Sequence, residues 1–440
     1  MPTRRQRLVA AAQGQDRRLL TPVPAVPPRL GYDRSPDPAM PGQQAVSRIP
    51  LLCVVALLIL FIIYGSLYPF VFIAHPAAGG PVSYLIGTWR DWDARGDLLS
   101  NILLYSPLGF FVIRVLPDRL GAPICGMLTI LACTTLSICM EMSQFHDAGR
   151  VTSMGDVYAN AIGSAFGALT SAALGAGLRW PLVAALAECP NAALLLVMFL
   201  GDRLYPYVPM IDMHKYWHAV RGMIQHPVLP PEEVARYAIT WLLVAMLVHS
   251  VYGFRSWCRL FPLFVLGEFA GRILIVNAVL TWPDVAGAAI ALVLWAGLLG
   301  RMPSRAVILT VAFGGLVIAL RLQPFQFSPV ALRGFGWIPF WSLMHGSENV
   351  AMQAFCEKFV QYGGMIWLLG RTGTPLPGGT GLTAGMLFLT SYAETYLPDH
   401  TAEITDAILA VGIGAAFTLL ATVDWARVAG RSGHDGSKAT

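Results

Sequence analysis

The chain has 440 residues, of which 55% are hydrophobic and 12% charged, with a formal net charge of +5 and a mean hydropathy of +0.59. A soluble globular chain carries about 25% charged residues, so an ordinary cytosolic enzyme, a disordered chain and a disulfide-stapled scaffold are all excluded. The seven cysteines are odd in number and scattered, form no CxxC pair, and mostly sit in apolar runs. There cysteine behaves as a small hydrophobe. The composition points to an all-α, polytopic membrane helical bundle.

Residues 1–48 differ from the rest. They hold eight prolines, eight arginines and three acids, and so supply the whole net charge as a disordered basic tail. No cleavage-type motif follows the late first apolar run, so the tail does not read as a secretory signal. Met40 offers an alternative start. From residue 49 onward, apolar stretches of about twenty residues, the length that crosses a bilayer, alternate with short polar breaks. Twelve spans are predicted, at 49–67, 98–115, 123–145, 156–178, 190–205, 233–252, 258–280, 284–300, 306–322, 351–369, 380–397 and 404–425. The arginine-rich tail sets the orientation. Both termini are expected in the cytoplasm, and the whole chain in a bacterial cytoplasmic (inner) membrane.

The chain also repeats. The first span of each group ends in Leu67-Tyr68-Pro69-Phe70, Leu204-Tyr205-Pro206-Tyr207 or Leu322-Gln323-Pro324-Phe325, and a long outer loop follows each. The third spans end near Glu141, Glu268 and Glu394, spaced 127 and 126 residues apart. After a hairpin, the fourth spans open with Asp156, Asp284 and Asp406, spaced 128 and 122 apart. Three polar markers at one period imply three parallel four-helix repeats. The expected organisation is a tail at 1–48, repeats at 49–179, 180–301 and 302–428, and a cytoplasmic tail at 429–440.

The first repeat is the richest in polar markers. Asp97 and Asn101, and likewise Asp156 and Asn160, are four residues apart and share a helix face. Glu141 and Gln144 share another, and His146, Asp147 and Arg150 lie in the hairpin. Ala159, Gly163, Gly167, Ser171 and Gly175 form a small-residue stripe that lets a second helix approach. Two readings of the outer-face residues stay open. Arg150 binds an anionic group while Glu141 and Asp156 position it or handle a proton, or Arg150 bridges the two acids and pins the hairpin. The counterparts are unequal. The second repeat keeps Glu268, Arg272 and Asp284, with Arg272 expected inside the span. The third keeps Glu394 and Asp406 but has His400 and no arginine between them. Asp97 and Asn101 have partial counterparts in Glu233 and in Glu357 with Gln361.

The run Asp97-Leu-Leu-Ser-Asn101-Ile-Leu-Leu-Tyr105-Ser-Pro107-Leu-Gly109, followed by Glu141-Met-Ser-Gln144-Phe145, Arg150 and Asp156-Val-Tyr-Ala-Asn160-Ala-Ile-Gly163, resembles the VanZ-like family, named for a teicoplanin resistance protein. The resemblance covers about residues 50–178 well, the third repeat in weaker form (Trp337-Ile-Pro339-Phe340, Glu394, Asp406) and the middle one least. It implies a small four-to-five-helix membrane domain, linked in some members to lipoglycopeptide tolerance. The departures are the tripled architecture and the missing third arginine.

Four functions compete. They are an envelope protein recognising an anionic lipid or cell-wall precursor at its outer face, a multi-pass transporter, a membrane enzyme acting on a lipid headgroup, and an assembly partner. No HExxH, EF-hand or GxSxG pattern is found. Catalytic residues are therefore left unassigned, and no metal and no cofactor are expected. The lipid bilayer is the expected partner. No nucleic-acid motif is visible, and the basic tail suits anionic headgroups better.

Overall fold

The computed structural model describes residues 49–67, 72–73, 80–90, 95–147, 152–175, 189–210, 212–225, 227–341, 348–398 and 400–423. Residues 47–440 form one compact unit. Among the described residues the chain is all-α, and extended backbone is confined to three isolated β-bridges. The tail expected at 1–48 lies outside the described residues.

Among the described residues thirteen α-helices follow one another. Segment 49–175 contains α1 (Ile49–Leu67), α2 (Gly80–Gly87), α3 (Arg95–Val115), α4 (Ala122–Gln144) and α5 (Met154–Gly175). Segment 190–297 contains α6 (Pro190–Arg203), α7 (Met213–Gln225), α8 (Pro231–Leu274) and α9 (Trp282–Gly297). Segment 305–422 contains α10 (Arg305–Leu322), α11 (Glu348–Arg371), α12 (Leu376–Ala393) and α13 (Thr405–Thr422). Proline marks several starts: α4, α6, α8, α9 and α12 carry one at the first or second helical position. There its missing N–H costs nothing and its fixed φ is already helical. Inside α8, Gly253 adopts φ 73 and ψ 164. That break splits the 44-residue helix into the two pieces expected at 233–252 and 258–280.

Each expected span overlaps a helix, although the helix at 258–280 ends at Leu274 and residues 176–178 and 424–425 lie outside the described residues; among the described residues six stretches are long and apolar enough to cross a membrane. They are Ile49–Leu67, Leu98–Val115, Ala122–Gln144, Pro231–Gly253, Arg305–Leu322 and Thr405–Thr422. The other helices fall short for visible reasons. α6 and α9 have only 14 and 16 residues. α5 is built largely of Ala, Gly and Ser, and α11 carries Glu357 and Lys358. Large apolar side chains such as Leu60, Leu131, Leu169, Leu263, Val293, Val311 and Leu389 point outward. Such a surface suits lipid rather than water. The outer loops are also less featureless than their sequence suggests, since α2 and the amphipathic α7 lie in the first two.

The small-residue stripe of α5 packs against α3. A Cβ at Gly163 would overlap the Ile102 carbonyl oxygen, and one at Gly167 the Ser106 carbonyl oxygen. Gly109 on α3 returns the contact, because a Cβ there would overlap the Ser164 carbonyl. Only glycine allows backbones this close. Arg114 Nε donates to Ser171 Oγ at 2.7 Å near the far end of the same pair.

The main core lies elsewhere. Trp241, Trp257, Trp295, Phe199, Phe261, Phe313, Tyr362 and Phe417 are buried in one cluster drawn from α6 and α8 to α13. Segment 49–175 has only smaller clusters, such as Ile62, Tyr105, Leu108 and Cys133. In all three segments the chain after the first helix pins the hairpin after Glu141, Glu268 or Glu394. The pinning contacts are Phe72 with Asp147, Pro209 with Ile275 and Gly336 with Glu403. Two of the turns that lead there share a conformation. Tyr205-Pro206 and Gln323-Pro324 are both cis, and the next residues, Tyr207 and Phe325, have φ of 65 and 61.

Candidate functional site

Three buried polar clusters sit where the Glu and Asp markers meet. In segment 49–175, Glu141 occupies the last turn of α4 and is buried. Its Oε2 accepts the backbone N–H of Ser153 at 2.9 Å, and Thr152 Oγ1 donates to its carbonyl at 3.2 Å. Ser153 immediately precedes α5, and its Oγ accepts the Gly155 N–H at 3.0 Å. Glu141 therefore faces the positive end of the α5 dipole. Asp156, in the first turn of α5, accepts Asn101 Nδ2 at 2.5 Å. Asn160, one turn further, donates through Nδ2 to Ser137 Oγ at 2.9 Å. Its buried Oδ1 has no hydrogen-bond partner among the described residues. Gln144 Nε2 donates to the Ser66 carbonyl at 3.0 Å. The Asp97 side chain and Arg150 lie outside the described residues.

In segment 190–297, Asp284 is fully buried in the first turn of α9. Arg203, the last residue of α6, meets it with both terminal nitrogens, at 3.2 and 3.4 Å. Arg272 reaches the same carboxylate from α8, and Trp241 Nε1 donates to Oδ1 at 2.8 Å. Glu268 lies 3.7 Å from Arg272, one turn away on the same helix, as the sequence spacing implies. Its two oxygens are buried and accept no hydrogen bond among the described residues. Lys215 on α7 donates to the Ala278 carbonyl at 2.7 Å, and burial holds its ammonium below the ordinary lysine range.

In segment 305–422 the arginine missing from the hairpin comes from α10. Arg321 Nη2 lies 2.7 Å from Glu394 Oε1, and Nη1 donates to Asp406 Oδ2 at 2.5 Å. Nε donates to Thr390 Oγ1 at 2.8 Å, Nη2 to Ser391 Oγ at 2.8 Å, and Nη1 to the Tyr362 hydroxyl at 2.9 Å. Lys358 holds the second Asp406 oxygen at 2.7 Å. All three guanidinium nitrogens are thus used, as a buried cation requires. His400 does not join this cluster, because its Nε2 lies 2.6 Å from the Gln323 carbonyl oxygen.

Arg203 and Arg321 are the residues that sequence reasoning missed. Both immediately precede a marker already noted, as Arg203-Leu204-Tyr205-Pro206 and Arg321-Leu322-Gln323-Pro324. The corresponding residue ahead of Leu67-Tyr68-Pro69 is Ser66. The partial counterparts diverge too. Glu357 accepts Gln361 Nε2 at 3.0 Å, whereas Asn101 donates to an aspartate. No group of three or more His, Cys, Asp or Glu side chains is arranged to hold a metal ion among the described residues.

Residues 49–175 match the family model described as VanZ/LLP1. No curated protein and no solved structure matches the chain. The matched stretch begins with α1, ends with α5, and contains the Asn101–Asp156 and Glu141–Ser153 pairs. With six long apolar helices among its described residues, the chain fits a multi-pass membrane protein, and its first segment matches the VanZ/LLP1 family model.

Proposed function

We propose that the protein resides in the bacterial cytoplasmic membrane with both termini inside, as twelve spans in three parallel four-helix units. In this reading the first unit receives the anionic head of an envelope lipid or cell-wall precursor at the outer face, and the other two units support it. Arg150 would meet the anion. Glu141, Asp156, Asn101, Gln144 and Asn160, together with Asp97 at the start of α3, would orient it.

The observation that carries this reading is the exchange at one position. Where the middle and last units place Arg203 and Arg321 against their own carboxylates, the first has Ser66. Two units spend a built-in cation on closing the bundle, while the first has a short hydroxyl there and keeps its arginine in the hairpin. The open Asn160 Oδ1 gives the first unit a buried acceptor that a ligand donor can satisfy. Threefold equivalence itself is supported by the marker spacing and by the pinned hairpin after each third helix.

The test is lipoglycopeptide susceptibility. Deleting the gene should lower tolerance to teicoplanin, and full-length protein should restore it. Glu141→Gln, Arg150→Ala and Asp156→Asn, expressed at wild-type level, should not, whereas His400→Ala should. Unchanged susceptibility on deletion removes the tolerance role. Full restoration by the three variants removes the first unit as its site.

A further inference from the structure

We propose that a second site, distinct from the one above, lies at the seam between segments 190–297 and 305–422. It would take a small zwitterion, with a primary ammonium facing Asp202 and Glu357 and an anionic oxygen facing Arg236. A cavity of about 90 Å³ opens there between α6, α8, α10 and α11. That is roughly three water volumes at about 30 Å³ each.

Its walls divide by charge. Asp202 from α6 and Glu357 from α11 bring two carboxylates to one cavity. Gln361 Nε2 donates to Glu357 at 3.0 Å, and the Gln353 side chain lies near Asp202. No lysine or arginine lies within ion-pair distance of either acid among the described residues. Each carboxylate has further acceptor sites, and two like charges converging in a restricted space gain from a cation between them. Arg203 also lines the cavity, but its guanidinium is committed to Asp284.

Arg236 is differently placed. It sits 4.9 Å above the Tyr237 ring and donates to the Tyr237 hydroxyl at 3.1 Å, with no carboxylate partner among the described residues. Arg203 lies 5.1 Å from the same ring, so Tyr237 is shared by one spent guanidinium and one available one. Phe313 and Leu316 of α10 supply an apolar wall. Arg203 lines the cavity while paired with Asp284, so a ligand there need not break that ion pair. Clefts between helices of a bundle, with a few convergent polar groups on apolar walls, are ordinary small-ligand sites.

The shared ligand chemistry is an ammonium joined by a short linker to an anion. It is found in the head of phosphatidylethanolamine and in free amino acids. Full-length protein in phosphatidylcholine nanodiscs is titrated calorimetrically with phosphoethanolamine, glycine and ethanolamine. In parallel, native mass spectrometry follows lipid retention from discs containing phosphatidylethanolamine. Saturable binding of phosphoethanolamine or glycine is expected, weakened at least tenfold by Asp202→Asn with Glu357→Gln. Arg236→Gln should weaken both zwitterions at least fivefold and leave ethanolamine unchanged. Retained phosphatidylethanolamine identifies a lipid headgroup as the source, and a response to glycine alone identifies a free solute. If the double variant does not elute as a folded species, the Arg236→Gln comparison of zwitterion with amine decides. Absence of saturable binding by every probe overturns the proposal, as does wild-type binding in Arg236→Gln.

Discussion

Segment 49–175 and the two segments that follow place acids at similar sites but build around them differently. In the first, α3 and α5 meet through glycine, Asn101 donates to Asp156, and the Ser153 N–H donates to Glu141. In the others, tryptophan and phenylalanine fill the core, and Arg203 and Arg321 reach the acids from the first helix of the segment. Such buried ion pairs tie together the helices they join. The first segment thus relies on close backbone contact, and the later two on aromatic packing and cross-helix ion pairs.

The contrast breaks most sharply at Arg321. Arg321→Ala should strand Glu394, leave Asp406 to Lys358 alone, and cost about 3–5 kcal/mol, read as loss of the monodisperse species in a detergent thermal-shift assay. Wild-type stability there would show that the ties are not structural. Arg203→Ala should cost less, about 1.5–3 kcal/mol, because Arg272 and Trp241 still hold Asp284. A loss equal to that of Arg321→Ala would mean Arg272 contributes little. Gly167→Ala tests the other packing style. Its Cβ would overlap the Ser106 carbonyl, for about 1–3 kcal/mol, while Gly126→Ala, with open space around it, should change nothing. Asp156→Asn is expected to stay within about 1.5 kcal/mol of wild type, although the proposed role requires it to abolish lipoglycopeptide tolerance. A large unfolding effect from Asp156→Asn would place the first segment with the other two.

The helices were legible because apolar run length and proline punctuation are local signals. The Glu and Asp markers were legible because their spacing repeats. The arginines were not, although Arg203 and Arg321 stand beside the Leu-x-Pro markers. Reading looked for the cation in the hairpin, where Arg150 lies, while the contact that matters is made across 81 residues for Arg203 and 85 for Arg321. Sequence distance hides a pair that any of several nearby cations can make. The membrane-crossing set also stayed partly hidden. The short α6 and α9 and the polar α11 look like spans by their rhythm, yet they are not among the six stretches long and apolar enough to cross a membrane.

The distance from Arg321 to its partners has a consequence for synthesis. The guanidinium leaves the ribosome 85 residues ahead of Asp406, an interval of about 4–17 s at bacterial-to-eukaryotic translation speeds. Until Glu394 emerges, α10 carries near its end an arginine without a carboxylate partner, a residue that at the centre of a span would cost about 2.5–3.5 kcal/mol by insertion scales. A chain that stops before α13 still lacks Asp406, so the buried cluster closes only when the last helix arrives.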